Sequence, residues 1–261
     1  MKKITAILLV LVIVFCITSY DKFYNDTKKI DNGETLMIAH RGLSGLEIEN
    51  TDGAFIAAGE RSYFGIEADV RRTADGKLII CHDEDLKRIA WKNILVEETT
   101  YDELLSVKLR DRWWQKTDAT LTTLDSFISI CKEYGKRAVL ELKSSFTNEE
   151  IGEIIDVIDS LGYTASTTFI SFDYDNLLFV RELLPECQVM YLSSELTDEF
   201  EARLISDKID LGIKHTKLKK ADVQRLHDAG LKINCWTVDS KLRAMELVSW
   251  GVDYITSNII E

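Results

Sequence analysis

The side chains in this sequence best suited to chemistry are two histidines and three carboxylates, each set at or near the end of an apolar run. His40 closes the run in IAHRG and His82 closes the one in IICHD; Glu67 and Asp69 alternate inside GIEADV, and Glu141 stands in VLELK. Alternate residues of an extended chain share a face, so Glu67 and Asp69 point the same way. Buried carboxylates are costly unless paired, and three of them converging require a cation. A hard divalent ion, Mg²⁺ or Ca²⁺, suits three oxygen donors and leaves positions open for water and a ligand. The competing reading is an ion-pair network of these acids with Arg41, Arg71 and Lys143. Histidine titrates near neutrality, so two of them span acid and base work. The remaining two are placed elsewhere: His227 lies on an amphipathic stretch (VQRLHDAG) and reads as surface, and His215 (IKHTKLKK) as structural or solvent-exposed.

The elements that must hold these groups alternate along the chain. Extended runs are expected at 36–39, 65–70, 137–142, 168–172, 188–192, 209–213, 232–238 and 253–256. Helical patterns fall between most of them, among others at 51–61, 124–134, 148–161, 219–229 and 241–249. Gly135, Gly162, Gly230 and Gly251 stand where helix C-termini want glycine. Eight such units in this length fit a closed (β/α)₈ TIM-type barrel, whose functional groups gather at the C-terminal ends of the strands. His40, His82 and Glu141 occupy such ends. One hairpin interrupts the alternation: Asp75-Gly76 between extended runs predicts a two-residue turn, which sets Asp69 directly opposite His82. Residues 84–120, with Trp91, Trp113 and Trp114, read as a small insertion or lid over the barrel mouth.

The 261 residues carry 32 basic and 44 acidic side chains, a net charge of −12. That balance argues against nucleic acid as a partner, since phosphate backbones demand a basic surface. Residues 1–20 combine Lys2 and Lys3 with an uncharged run from Ile4 to Tyr20, which reads as a signal anchor, or alternatively as a cleaved signal peptide. The expected placement is a single-pass membrane protein with its catalytic part outside, or a secreted one. Polar residues 21–34 read as a tether, leaving 35–261 as the barrel domain. Cys81, Cys131, Cys187 and Cys235 each sit in or beside an apolar run without a C-x-x-C pair, and are expected as reduced, buried thiols.

The stretch from Ala39 to Arg88, with AHRG, EIENT, GIEADV, RTADGK and IICHDED, resembles the opening signature of glycerophosphodiester phosphodiesterases. VLELKS, TTFISFD, INCWTVDS and GVDYITSN extend the similarity to about residue 258. The resemblance implies a (β/α)₈ barrel hydrolysing glycerophosphodiesters to sn-glycerol 3-phosphate and an alcohol. It further implies Glu67, Asp69 and Glu141 as ligands of the divalent metal, and His40 and His82 as general acid and base. Arg41 and Lys143 would hold phosphate oxygens, and Trp236 would shape the substrate pocket. Two departures, Ile48 before Glu49-Asn50-Thr51 and Tyr254 before the last Ile-Thr, bear on substrate preference. Two alternatives keep the barrel: lysophospholipase D-type cleavage of lysophospholipids, and a non-catalytic barrel that binds a phosphorylated ligand.

Overall fold

The apolar, β-branched runs pair side by side in a computed structural model that describes residues 26–261. Among the described residues the strands are β1 (Leu36–Ala39), β2 (Gly65–Arg72), β3 (Leu78–Ile80), β4 (Thr122–Thr123), β5 (Arg137–Leu142), β6 (Thr167–Ser171), β7 (Val189–Ser193), β8 (Asp210–Lys214), β9 (Ile233–Trp236) and β10 (Tyr254–Ser257). Eight of them run parallel in the order β1-β10-β9-β8-β7-β6-β5-β2. The pairs Ile38–Gly65 and Ala39–Ile66 join β1 to β2 and close the barrel. The antiparallel β3 and β4 extend β2 outside the ring.

Side-chain alternation builds two layers from one set of strands. Ile38, Val139, Ile170, Met190, Leu192 and Tyr254 fill the barrel interior. Their neighbours, such as Ile66, Ala68, Val70, Ala138 and Leu140, face outward into the larger core beneath the helices. The helices follow the same logic. Asn148–Ser160 starts from a capping box between Thr147 and Glu150 and buries Ile151, Ile154, Ile155 and Ile158, one face at helical spacing. Among the described residues no helix is long and apolar enough to cross a membrane.

One feature differs from expectation, and two others add to it. The Asp75-Gly76 hairpin is longer than a two-residue turn: Thr73 donates to the Lys77 carbonyl, and Gly76 takes the left-handed conformation at φ 77°. A three-residue loop ending in a left-handed glycine shifts the pairing by one, so Val70 faces Ile80 and Cys81 donates to the Asp69 carbonyl. Asp69 therefore stands opposite Cys81, not His82. Second, the described part of the polar segment is docked, not free. Thr27 Oγ1 donates to Glu261 Oε1 at 2.6 Å, and Lys28 pairs with Ile260. Third, residues 84–120 form a side lobe with their own core of Leu86, Ile89, Val96, Leu104 and Leu109, against which Ile48 packs. The expected hydrophobic helix over residues 1–20, and Cys16 within it, lie outside the described residues. The four cysteines that are described are free thiols, three of them buried.

Candidate active site

The alternation that aims Ala68 and Val70 at the helices turns Glu67 and Asp69 into the barrel. On the adjacent strand the same register sets Glu141 beside Asp69. All three carboxylates are buried, and one oxygen of each lies within 4.8 Å of the others. Cations reach only part of the cluster. Arg41 Nε is 3.5 Å from Asp69 Oδ2, and Lys143 Nζ is 2.8 Å from Glu141 Oε1 and 3.9 Å from Asp69 Oδ1. Asn50 Nδ2 donates to Asp69 Oδ2 at 2.7 Å, and the Arg41 backbone N–H to Glu67 Oε2 at 2.7 Å.

What remains is the informative part. Glu67 Oε1 and Asp69 Oδ1 are buried without a hydrogen-bond donor. Buried acceptors are rarely left so, because each forfeits its hydration. The electrostatics agree. Burial, together with repulsion from Asp69 and Glu141, holds the Glu67 carboxyl well above the usual range. Burial and Asp69 push Glu141 up to about 7. At Asp69 burial is outweighed by Arg41, His82, Lys143 and the Asn50 hydrogen bond, and its pKa falls below the ordinary value. An ion-pair network is thus present but incomplete, and the two orphaned oxygens fit a hard cation.

The loop after β1 needs unusual backbone. Arg41 and Asn50 take left-handed conformations at φ 53° and 56°, and Gly42 lies at φ 75°. A Cβ on Gly42 would fall 2.6 Å from the Ala54 carbonyl carbon, so only glycine lets the loop lie against the helix Asp52–Gly59. Asn50 does not cap that helix; Thr51 does, and Asn50 is freed to hold Asp69.

His40 and His82 enter from opposite edges. His40 Nδ1 lies 2.7 Å from Asn258 Oδ1, while Asn258 Nδ2 donates to Asp239 Oδ2 at 2.6 Å. The Asp239 acceptor fixes the amide orientation, so its oxygen faces His40 and the ring proton sits on Nδ1. His40 Nε2 is left 4.0 Å from Glu67 Oε2. Burial and the neighbouring Arg41 lower its pKa to about 4, so the ring is neutral at neutral pH. His82 Nδ1 lies 2.7 Å from Asp83 Oδ1, and Arg71 grips the His82 carbonyl. Its pKa is lowered chiefly by burial, against the opposing pull of Asp69. His82 reaches the mouth despite the register shift because it lies beyond the end of β3, where alternation no longer constrains it.

His40, Arg41, Glu67, His82 and Glu141 line one side of a central cavity of about 130 Å³; Ile170, Phe172, Leu192, Asn234, Trp236, Thr237 and Thr256 line the rest. Lys143 stands just outside, beside Glu141 and Phe172, in a neighbouring hollow. Trp236 packs edge-on to Phe172 at 5.4 Å between ring centroids. Among the described residues none from 84–120 lines this cavity, so the insertion flanks the mouth instead of roofing it. Its root still touches the site. Arg88 bonds Glu49 with two nitrogens and Asp83 with a third, and Glu49 in turn accepts from Arg41. His227 pairs with Asp253 and His215 with Arg243, both away from the carboxylates. Tyr254 opens β10 at the far end of the barrel, beneath the core and away from the mouth.

Sequence reasoning on single residues assigns no role to Asp83, Arg88, Asp239 or Asn258. Asp83, Asp239 and Asn258 are polar residues of loops and Arg88 lies on the one-turn helix Lys87–Ala90, where nothing marks a hydrogen-bond role until the loops meet. The motifs CHDED and TSN did contain two of them.

Comparison with known proteins places this geometry. The model of the glycerophosphoryl diester phosphodiesterase family matches residues 40–261. A glycerophosphodiester phosphodiesterase of Bacillus altitudinis is 28% identical over 230 residues, covering 85% of this chain and 93% of the relative. A phosphodiesterase of Oleispira antarctica, solved in complex with the product sn-glycerol-3-phosphate, is similar with a TM-score of 0.77 and 27% identity, over 88% of this chain and 96% of that one. A glycerophosphodiester phosphodiesterase of Parabacteroides distasonis superposes with a TM-score of 0.72 at 28% identity, over 86% and 93% of the two chains.

Proposed function

This chain belongs to the glycerophosphoryl diester phosphodiesterase family, and on that premise we propose that it hydrolyses glycerophosphodiesters to sn-glycerol 3-phosphate and an alcohol, using a divalent metal and two histidines. It is an enzyme of the phosphoric diester hydrolase class with a small-molecule phosphodiester as substrate. The observation that carries the finer reading is the buried triad Glu67, Asp69 and Glu141 with two orphaned oxygens, set between His40 and His82. In this reading the triad holds Mg²⁺ or Ca²⁺, which when bound supplies positive charge against the phosphoryl oxygens.

The protein's own groups account for the rest. Arg41 is fixed at its backbone by Glu67 and at its guanidinium by Glu49 and Asp69, so it is aimed before substrate arrives. With Lys143 it stabilises negative charge growing on the phosphate. His40 and His82 divide the proton transfers: one takes a proton from the attacking hydroxyl, the other gives one to the departing alkoxide. Each ring is held at Nδ1, by Asn258 and Asp83 respectively, which leaves Nε2 as the working atom of both. Trp236 and Phe172 form an apolar edge for the organic part of the diester.

A second substrate reading has one observation in its favour. Trp91, Trp113 and Trp114 are exposed beside the mouth, which suits a lysophospholipid at a membrane. In both readings residues 1–20 anchor the chain with the barrel outside. The test strips the full chain with chelator and follows glycerol 3-phosphate release from glycerophosphocholine, with and without Mg²⁺ or Ca²⁺. Metal-dependent release is expected. Turnover of lysophospholipid alone would favour the second substrate, and full activity in chelator would overturn the metal.

A further inference from the structure

The insertion spends three of the five tryptophans of this chain on solvent. Trp91, Trp113 and Trp114 are 60%, 61% and 51% exposed, and Leu95 nearby is also exposed. Trp91 and Trp114 stack at 6.1 Å between ring centroids, and Trp113 adjoins Trp114 in the chain. Arginines accompany them: the Arg110 guanidinium lies 3.7 Å from the centre of the Trp91 ring and Arg112 4.1 Å from that of Trp113. Large aromatic groups are seldom left on a surface in a cluster unless something covers them.

Charge identifies the occupant. The protein is acidic at −12, yet residues 108–116 carry Lys108, Arg110, Arg112 and Lys116 against a single acid, Asp111. That acid is turned onto its own loop, accepting from the backbone N–H of Trp113 and Gln115. Indole rings interleaved with cations are the chemistry of a lipid–water interface bearing anionic headgroups: the rings settle at headgroup depth and the cations meet phosphate. An acidic protein would otherwise be repelled by such a surface.

Position supports the same occupant. Arg112 donates to the Gly45 carbonyl. Gly45 lines an open groove of about 980 Å³ beside His40, and Asp26, the first described residue, lines it too. Asp26, which follows the uncharged run Ile4–Tyr20 closely in sequence, therefore lies at the same end of the barrel as Arg112.

We propose that the Trp91–Trp113–Trp114 patch, with Arg110 and Arg112, docks on an anionic phospholipid surface and holds the barrel mouth against it. The anchoring of residues 1–20 strengthens the case, but the patch is tested apart from it, because residues 1–25 contain no tryptophan. The full-length chain is reconstituted into vesicles of phosphatidylcholine with or without phosphatidylglycerol, with bromine on the acyl chains near the headgroups. Tryptophan emission is then recorded.

The expected result is strong quenching and a blue shift with phosphatidylglycerol. Both should be lost in the W91S/W113S/W114S variant and weakened by salt, while turnover of soluble glycerophosphocholine is unchanged. R110Q/R112Q serves as the second variant, keeping the rings but losing the lipid preference. Absence of quenching overturns the proposal. So does equal quenching in phosphatidylcholine alone, or a change that follows protein concentration without lipid, which would make a second copy the occupant. Failure of the hydrolytic reading would remove the turnover control but leave the quenching, the blue shift and their salt dependence unaffected.

Discussion

The two walls of the barrel mouth are built from the same kind of strand but follow different rules. Along β2 and β5 the inward positions hold Glu67, Asp69 and Glu141, buried together with two oxygens unpaired. Across the cavity Ile170, Phe172, Leu192, Asn234, Trp236 and Thr256 present apolar or neutral surface. The second wall resembles ordinary barrel core, where shape alone matters. The first leaves two buried oxygens without partners, a departure from good packing that fits a cation and makes this wall the candidate for chemistry. The Arg and Lys partners reduce the mismatch without removing it.

The largest test of this contrast lies in the protons. His40→Ala or His82→Ala should lower kcat by about 10²–10⁴ with an unaltered circular dichroism spectrum; near-normal turnover in either variant would remove that histidine from the mechanism. Next comes the support of the charged wall. Asn50→Ala, which frees Asp69, should weaken metal affinity by roughly 10–100-fold in a calorimetric titration, as losses behind a ligand do. Unchanged affinity would mean that Asp69 is oriented by other means.

Protons and metal should also compete. Because Glu141 holds its proton up to about 7, metal must displace that proton to bind. Apparent metal affinity should therefore rise as pH climbs through about 7 and fall below it. A flat profile would exclude Glu141 as a ligand. On the neutral wall the stakes are smaller: Trp236→Ala should reduce kcat/KM about 10-fold, mostly through KM, since an apolar contact is worth about 1–3 kcal/mol. An effect mostly on kcat would move Trp236 to the other side of the comparison.

The smallest effect separates a metal site from a finished ion-pair network. Glu67→Gln replaces one of the crowded carboxyls by a neutral amide while keeping an oxygen for the Arg41 N–H. If the triad awaits a cation, the metal-free variant should melt about 2–4 °C higher than the parent, corresponding to about 1 kcal/mol for a chain of this size. A lower melting temperature in chelator would show instead that the arginine and lysine partners already satisfy the cluster.

Most of the barrel was legible in the sequence, because strand and helix periods are printed in the spacing of apolar residues. β1 and β5 fall where the pattern places them, and the other barrel strands differ by a residue or two. The carboxylates were legible for the same reason: Glu67, Asp69 and Glu141 are charges in runs that otherwise demand burial. Loops carry no such period. The Asp75-Gly76 turn differs from expectation by one residue, which moved Cys81 into the place expected for His82. The roles of Asn50, Asp83 and Asn258 depend on loops meeting across the mouth, and spacing does not encode that. Tyr254 shows the reverse limit. Its departure from the family pattern looked like a change of pocket, yet its side chain fills the closed end of the barrel.

Arg88 has a consequence for anyone who would rebuild this protein. It belongs to the insertion, yet it clamps Glu49 and Asp83, the partners of Arg41 and His82. The lobe is thus a graft with two zones. Its tip around Trp113 lines no part of the central cavity, and chimeras exchanging residues 108–116 among relatives should retain their turnover. Its root is not. A cut that deletes Arg88 along with the lobe would loosen both sides of the mouth at once, so a minimal version of this enzyme has to keep the stem even when it discards the flower.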